Sequence, residues 1–331
     1  MRAPDFWWRP AGGKLLSPLA AVYGALAAWR MRLPGRGVGV PVICVGNLTV
    51  GGASKTPAAL AVGRLLLAAR EQPVYLTRGY RGRLSGPVRV DPAMHSAADV
   101  GDEPLLLARL APTIVARDRL RGAEAARRAG ATAIVMDDGF QNPAIAKHLS
   151  ILLVDGRRGI GNGRILPAGP LRAPLRVQIA RAQALVIAGA NHDAGEIENL
   201  AHEYGVAIFH GRIEPDRPTL AALAERKALA FAGIAHPEKF FATLVEAGIA
   251  IAERASFRDH HRYTSAEARD LIARADAANL LLVTTEKDFA RLAGDPSLAA
   301  LTARAIALPV RLVIEQADAF RDMILETVKR R

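Results

Sequence analysis

PVICVGNLTVGGASKTP, residues 41–57, decides how this chain is read. An apolar run, Pro41 to Val45, breaks into Gly46, Asn47, Gly51 and Gly52 and then into Lys55, Thr56 and Pro57. A helical pattern follows at once, from Ala58 through Leu65, Leu66 and Leu67. Strand, glycine loop, Lys-Thr and helix is the order that binds a nucleoside triphosphate. Backbone N–H groups cradle the phosphates, the Lys neutralises β/γ charge and the Thr hydroxyl holds Mg²⁺. The spacing is irregular: the standard pattern has Gly directly before the Lys and another five residues earlier, where this chain has Ser54 and Thr49. Thr49, Val50, Gly51, Gly52, Ala53, Ser54, Lys55 and Thr56 are the candidate nucleotide loop, and the alternative is a plain glycine turn between strand and helix.

Around this loop, 331 residues suffice for two ordinary domains, and half of them are hydrophobic. A formal net charge of +12 favours anionic partners: nucleic acid, an anionic lipid surface or a phosphorylated substrate. Aromatic residues are only 5%, which argues against stacking platforms for single strands. Cys44 is the single cysteine, so an intrachain disulfide and a Cys-based metal site are excluded. Its apolar strand makes it a small buried hydrophobe.

The amino-terminal stretch 15–29, LLSPLAAVYGALAAW, is uncharged, with Arg2, Arg9 and Lys14 before it and Arg30, Arg32 and Arg36 after. It is short for a bilayer span and contains Pro18. Phe6, Trp7 and Trp8 precede it and no clean processing site follows, unlike a signal peptide. Residues 1–33 are read as a segment in the membrane interface, with Trp7 and Trp8 as anchors. A helix packed on the first domain's core is the alternative.

Apolar runs expected as strands lie at 42–45, 74–77, 113–116, 133–136, 151–154, 185–188 and 206–210, with helical stretches between them at 103–110 and 120–129. Strands apolar throughout and separated by helices indicate a mostly parallel sheet covered on both faces. A polar, proline-containing connector, 210–226, precedes a second series: strands at 228–232, 248–253, 280–284 and 306–308, and helices at 237–247 and 265–275. The expected fold is α/β, with a kinase-type first domain over 34–209 and a second α/β domain over 227–331 that completes a cleft.

The strand 133–136 delivers Asp137-Asp138-Gly139 at its carboxyl end, which is where Mg²⁺ is held in a P-loop enzyme. Neighbouring strand residues point to opposite faces, so one acid would serve the metal or its water and the other the loop Lys or Thr. An ordinary Asp-Gly turn is the alternative. Asp102 and Glu103 precede an apolar helix opening near Pro104, either as a helix cap or as the carboxylate that orients an acceptor hydroxyl and takes its proton. Arg258-Asp259-His260-His261-Arg262 is the densest titratable cluster. Its Asp could hold a His tautomer and its His could tune a carboxylate; a solvated loop is the alternative. Arg78, Arg119 and Arg172 sit at strand ends or in a rigid loop and are candidates for phosphate contacts, since the guanidinium fork matches phosphate oxygens.

These segments together resemble the tetraacyldisaccharide 4'-kinase family of lipid A assembly. The resemblance rests on VGNLTVGGASKTP (45–57), LTRGYRG (76–82), VGDEP (100–104), MDDGFQ (136–141), LPAGPLR (166–172), FRDHH (257–261) and TTEKD (284–288), in that order. It implies transfer of the ATP γ-phosphate, with Mg²⁺, to the 4'-hydroxyl of a tetraacylated, 1-phosphorylated glucosamine disaccharide. It further implies work at the cytoplasmic face of the inner membrane, as a peripheral or monotopic protein. Two α/β/α sandwich domains joined by a short two-stranded linker are implied, the first a P-loop NTPase-like, mostly parallel sheet. Carried over residue by residue, Lys55 and Thr56 bind phosphate and Mg²⁺, Asp137 and Asp138 complete the metal site, and Asp102 is the base supported by His260, with His261 the alternative. Ser54 departs from the family's usual Gly, and Ala173 from a frequent Glu. The competing reading is a basic P-loop protein that binds nucleic acid with ATP as a switch; it leaves the amino-terminal segment and the ordered motifs unexplained, so no nucleic acid is expected. A third is a non-catalytic membrane-surface protein.

Overall fold

The structure, a computed structural model, describes residues 4–10, 12–51, 54–189 and 195–330. Val42–Asn47 (β1) is buried at every residue, as an all-apolar strand must be when helices cover both faces. It lies between β5 (Ala133–Asp137) and β6 (Leu149–Asp155), parallel to both. On one side follow β2 (Pro73–Thr77), β4 (Thr113–Val115) and the short β3 (Val88–Arg89); on the other β7 (Ala184–Ala188), β8 (Ala207–Pro215) and β13 (Val310–Ile314). The order of this nine-stranded sheet, β13-β8-β7-β6-β1-β5-β2-β4-β3, reverses direction at β1. Only the two edge pairs, β3 with β4 and β13 with β8, are antiparallel. The crevice at such a switch point, outside the carboxyl ends of the strands, is where ligands bind in open α/β sheets. The glycine loop emerges there, between β1 and helix Lys55–Ala68. A second sheet, β10 (Ile251–Ser256), β9 (Ala228–Ala232), β11 (Leu281–Thr285) and β12 (Ala305–Leu308), is wholly parallel and has its own cores.

The division differs from the expected 34–209, 210–226 and 227–331. β8 continues to Pro215 as a strand of the large sheet. The chain returns from the second sheet through β13, so the two crossings run side by side, Gly211 opposite Ile314 and Pro215 opposite Val310. Helix Ala317–Lys329 then buries Phe320, Ile324 and Val328 among Val62 and Leu66 of the first unit's core. Its apolar face, at helical spacing, shows that it must pack, but not on which of two sheets.

Helix Ser17–Arg32 is apolar on two sides. Ala20, Gly24 and Met31 face the protein, and a Cβ on Gly24 would meet Ile165 Cδ1 at 2.7 Å, so a larger residue there would have to push the Ile165 side chain aside. Leu19, Val22, Leu26 and Trp29 form the opposite stripe and are 57–63% exposed. The expected anchors do not face outward together: Trp7 is buried with Nε1 donating to Pro167 O at 3.0 Å, and Trp8 lies under the Arg158 guanidinium. No described helix is long and apolar enough to cross a membrane.

Candidate active site

The acids at the end of β5 divide their tasks. Asp138 turns out of the strand at φ +52°. Its carboxylate accepts from Arg172 Nη1 at 2.7 Å and pairs with Lys55 Nζ at 3.3 Å. Burial would raise its pKa, but the Lys55 and Arg172 charges outweigh that and hold it at about 2. Asp137 stays in the strand, fully buried, and neither of its oxygens has a partner. Burial, then the nearby Glu103 charge, push its carboxyl up to about 7. The Thr56 hydroxyl is likewise buried without a partner. An unpaired carboxylate and an unpaired hydroxyl, both oxygen donors beside the buried Lys55, are the donor set that Mg²⁺ takes in a P-loop site, so the residues present fit that ion.

The glycine loop is fixed from one side by the loop at 164–172. Val50 N–H donates to Pro170 O at 2.9 Å, so that expected phosphate donor is already engaged. Thr49 bridges Leu171, and its carbonyl accepts from Arg172 Nε at 3.2 Å. Gly51 has φ +86° and Ser54, the amino cap of helix Lys55–Ala68, φ +57°. Gly52 and Ala53 lie outside the described residues. Arg119 is buried at the start of helix Arg119–Arg128, with Nη1 donating to Ala116 O at 3.0 Å. Arg78 is exposed at the end of β2. Of the three expected arginines, Arg172 lies against Asp138, Arg119 is held by the Ala116 carbonyl and Arg78 faces solvent.

The third group bridges the two units. Asp102 opens a helix after Gly101, whose φ of +91° and 2.6 Å clearance from Tyr80 O at the Cβ position permit glycine alone. Asp102 Oδ2 meets His260 Nδ1 at 3.1 Å and accepts from Arg291 Nε at 2.7 Å. Burial opposes its charge, but the His260 hydrogen bond and the Arg291 and Lys287 charges hold the carboxyl well below the usual range. His260 itself sits at φ +54°, edge-on to Tyr80 at 5.4 Å. His261 turns away to Glu267, at 3.0 Å, and stacks on Phe257. Glu103 accepts from Lys287 Nζ at 2.6 Å.

The family described as tetraacyldisaccharide-1-P 4'-kinase matches over residues 13–329. The chain belongs to that family. A tetraacyldisaccharide 4'-kinase of Rhodopseudomonas palustris strain BisB18 is 52% identical over 328 residues, 98% of this chain and 96% of the relative. One from Nitrobacter winogradskyi is 47% identical over 330 residues, 99% and 98% of the two chains. A solved structure of LpxK from Aquifex aeolicus, described as in complex with ATP, superposes with a TM-score of 0.75 at 27% identity, covering 96% of this chain and 99% of that one. The protein is therefore a kinase of the P-loop α/β type.

Two residues of this kinase escaped sequence reasoning. Lys287 and Arg291 stand one helical turn apart on Glu286–Leu292, both reaching from the second unit to Glu103 and Asp102 of the first. The TTEKD segment supported the resemblance without suggesting a role. The i, i+4 spacing of two cations was the available signal, but it reads equally as a solvated face.

Proposed function

We propose that this kinase transfers the γ-phosphate of ATP to the 4'-hydroxyl of a tetraacylated, 1-phosphorylated glucosamine disaccharide, at a membrane surface, with Asp102 as general base. The observation that carries this reading is the ionised, buried Asp102 held by His260 and Arg291 of the second unit, at the same strand-end crevice as Lys55, Thr56 and Asp137. Phosphoryl transfer needs positioning and charge stabilisation more than covalent chemistry. The acceptor oxygen forms a bond to the γ-phosphorus as the bond to the ADP oxygen breaks, and its proton passes to the Asp102 carboxylate. His260 orients that carboxylate and shares the incoming proton. Lys55 Nζ, held by Asp138, balances phosphate charge, and Arg172, fixed on Asp138 and the Thr49 carbonyl, contributes a second cation. Thr56 and Asp137 would hold Mg²⁺, which when bound neutralises charge on the phosphate oxygens. Both sides of the cleft supply the base and its partners, so closing it assembles the site and excludes water that would otherwise take the phosphate. The exposed apolar stripe of helix Ser17–Arg32 and the positive charge of the chain support a monotopic or peripheral seat on the inner membrane's cytoplasmic face, where a lipid acceptor is reached.

The direct test is incubation of the purified full chain with ATP, Mg²⁺ and the disaccharide lipid in detergent micelles. A 4'-phosphorylated product is expected; normal ATP binding without turnover of that acceptor would overturn the substrate assignment. Asp102→Ala is expected to cut turnover by roughly 10²–10⁴ with nucleotide affinity preserved. Equal loss of both would make Asp102 a structural cap.

A further inference from the structure

Helix Ser17–Arg32 runs from the carboxyl ends toward the amino ends of the parallel strands. At its start, Ser17 Oγ accepts from Arg164 Nη1 at 3.1 Å, in the loop that leads to Arg172 and the phosphoryl-transfer site. At its end, Arg32 and Leu33 wall a cleft of about 820 Å³ whose other side carries Lys147, Arg176 and Arg181. Lys147 precedes β6 and Arg181 precedes β7. The cleft therefore opens at the amino ends of the parallel strands, whereas Lys55 and Asp137 lie at their carboxyl ends. A strand of five to seven residues at about 3.3 Å each puts the two ends some 20 Å apart, so Lys147 and Arg181 stand apart from the catalytic crevice.

Its charge is unbalanced. Arg176 is satisfied by Glu203 at 2.8 Å. Lys147 has a neutral partner, donating to Asn142 O at 2.6 Å. Burial pulls its pKa below the ordinary value, with the Arg181 charge acting in the same direction. Among the described residues, Arg32, Lys147 and Arg181 have no carboxylate partner. Like charges gathered at a partly desolvated wall repel, and an anion between them removes that cost. Two guanidinium forks and an ammonium suit phosphate oxygens. The apolar stripe Leu19, Val22, Leu26 and Trp29 leads to Leu33 on the rim.

We propose that the cleft is a headgroup site for an anionic phospholipid, whose phosphate sits on Lys147 and Arg181 while its acyl chains lie along the stripe of helix Ser17–Arg32. The proposal rests on the reading that this stripe faces a membrane. It gives the kinase a second point of attachment, about a helix length from the catalytic mouth, that fixes its orientation on the bilayer.

The test is flotation of the full chain with phosphatidylcholine vesicles and with phosphatidylcholine–phosphatidylglycerol vesicles. Lys147→Ala and Arg181→Ala are compared with Arg321→Ala, which removes the same charge from helix Ala317–Lys329 on the other face of the sheet. Arg181 is exposed, so its replacement leaves the fold intact. The wild type is expected to prefer the anionic vesicles. Each cleft variant is expected to lose about fivefold of that preference, the order for one basic residue at an anionic surface, with Arg321→Ala close to wild type and turnover in neutral micelles unchanged. Equal losses in all three variants, or none in the cleft variants, would assign the preference to overall charge and overturn the proposal. Inorganic phosphate raising the melting temperature of the wild type but not of Arg181→Ala, with vesicle preference unchanged, would mark a soluble-anion site and overturn the lipid occupant. Wild-type binding to both vesicles alike removes this proposal alone, whereas binding to neither removes the membrane reading as well.

Discussion

Ser54 is the residue at which pattern and geometry meet. Its φ of +57° is the left-handed conformation that glycine adopts without cost and an L side chain does not. That is the physical reason the usual pattern places Gly before the P-loop Lys. Ser54→Gly should raise stability by roughly 0.5–1 kcal/mol, since the relieved strain exceeds the added freedom of the unfolded chain. A fall in melting temperature would show that the hydroxyl makes a bond the backbone does not repay. Asp137 carries a sharper consequence. Its carboxyl is pushed up to about 7 on folding, by burial first, so between roughly pH 4 and that value the folded chain binds the extra proton. Stability from this group is thus fully present below the unfolded pKa and lost as pH rises through the folded one. Asp137→Asn should flatten that decline, stabilise the Mg²⁺-free protein by on the order of 2 kcal/mol above neutral pH, and abolish stabilisation by MgATP. A variant whose melting temperature still rises with MgATP would remove Asp137 from the metal site. The residue types were legible here, as the DD pair and the Lys-Thr pair; which Asp stays unpaired was not, because it depends on whether the chain leaves the strand at 137 or 138.

At the scale of elements, helix Ser17–Arg32 shows where sequence patterns fall silent. A helix apolar on both sides has no amphipathic period to read, and only packing tells the inner stripe from the outer one. Trp7 and Trp8 had the composition of interface anchors, yet their rings are taken up by Pro167 and Arg158. The exposed residues are Leu19, Val22, Leu26 and Trp29. Replacing Leu19, Leu26 and Trp29 by Ser should leave the melting temperature unchanged, because those side chains touch water. It should lower partition onto neutral vesicles by about a hundredfold, given the free energy of burying apolar side chains. Undiminished flotation would place the membrane contact elsewhere.

Across the whole molecule, two features join distant sequence. Helix Ala317–Lys329 closes the core over the P-loop helix, and Phe320 meets Phe209 edge-on at 5.1 Å. Phe320→Ala should cost about 3–5 kcal/mol and loosen the nucleotide-binding unit rather than the second sheet. This is measurable as hydrogen-exchange protection in helix Lys55–Ala68; protection lost only in residues 228–308 would contradict the packing. Arg291 and Lys287, nearly two hundred residues after Asp102 and Glu103, complete the site from the other side of the cleft.

The alternation of buried strands and helices, the glycine loop with Lys55 and Thr56, the paired acids at the end of β5, and the ordered motifs that mark the kinase family are all legible in the chain read residue by residue. These are local or nearly local: periodicity, turn chemistry and short spacings write them directly into the chain. Long-range packing is what brings His260, not His261, to Asp102, adds Arg291 to that carboxylate, assigns the last strand and helix to the first sheet, and turns one stripe of helix Ser17–Arg32 outward. Each of those depends on contacts across long stretches of chain, whose partners are chosen by packing of surfaces that look equally apolar or equally charged when read in one dimension.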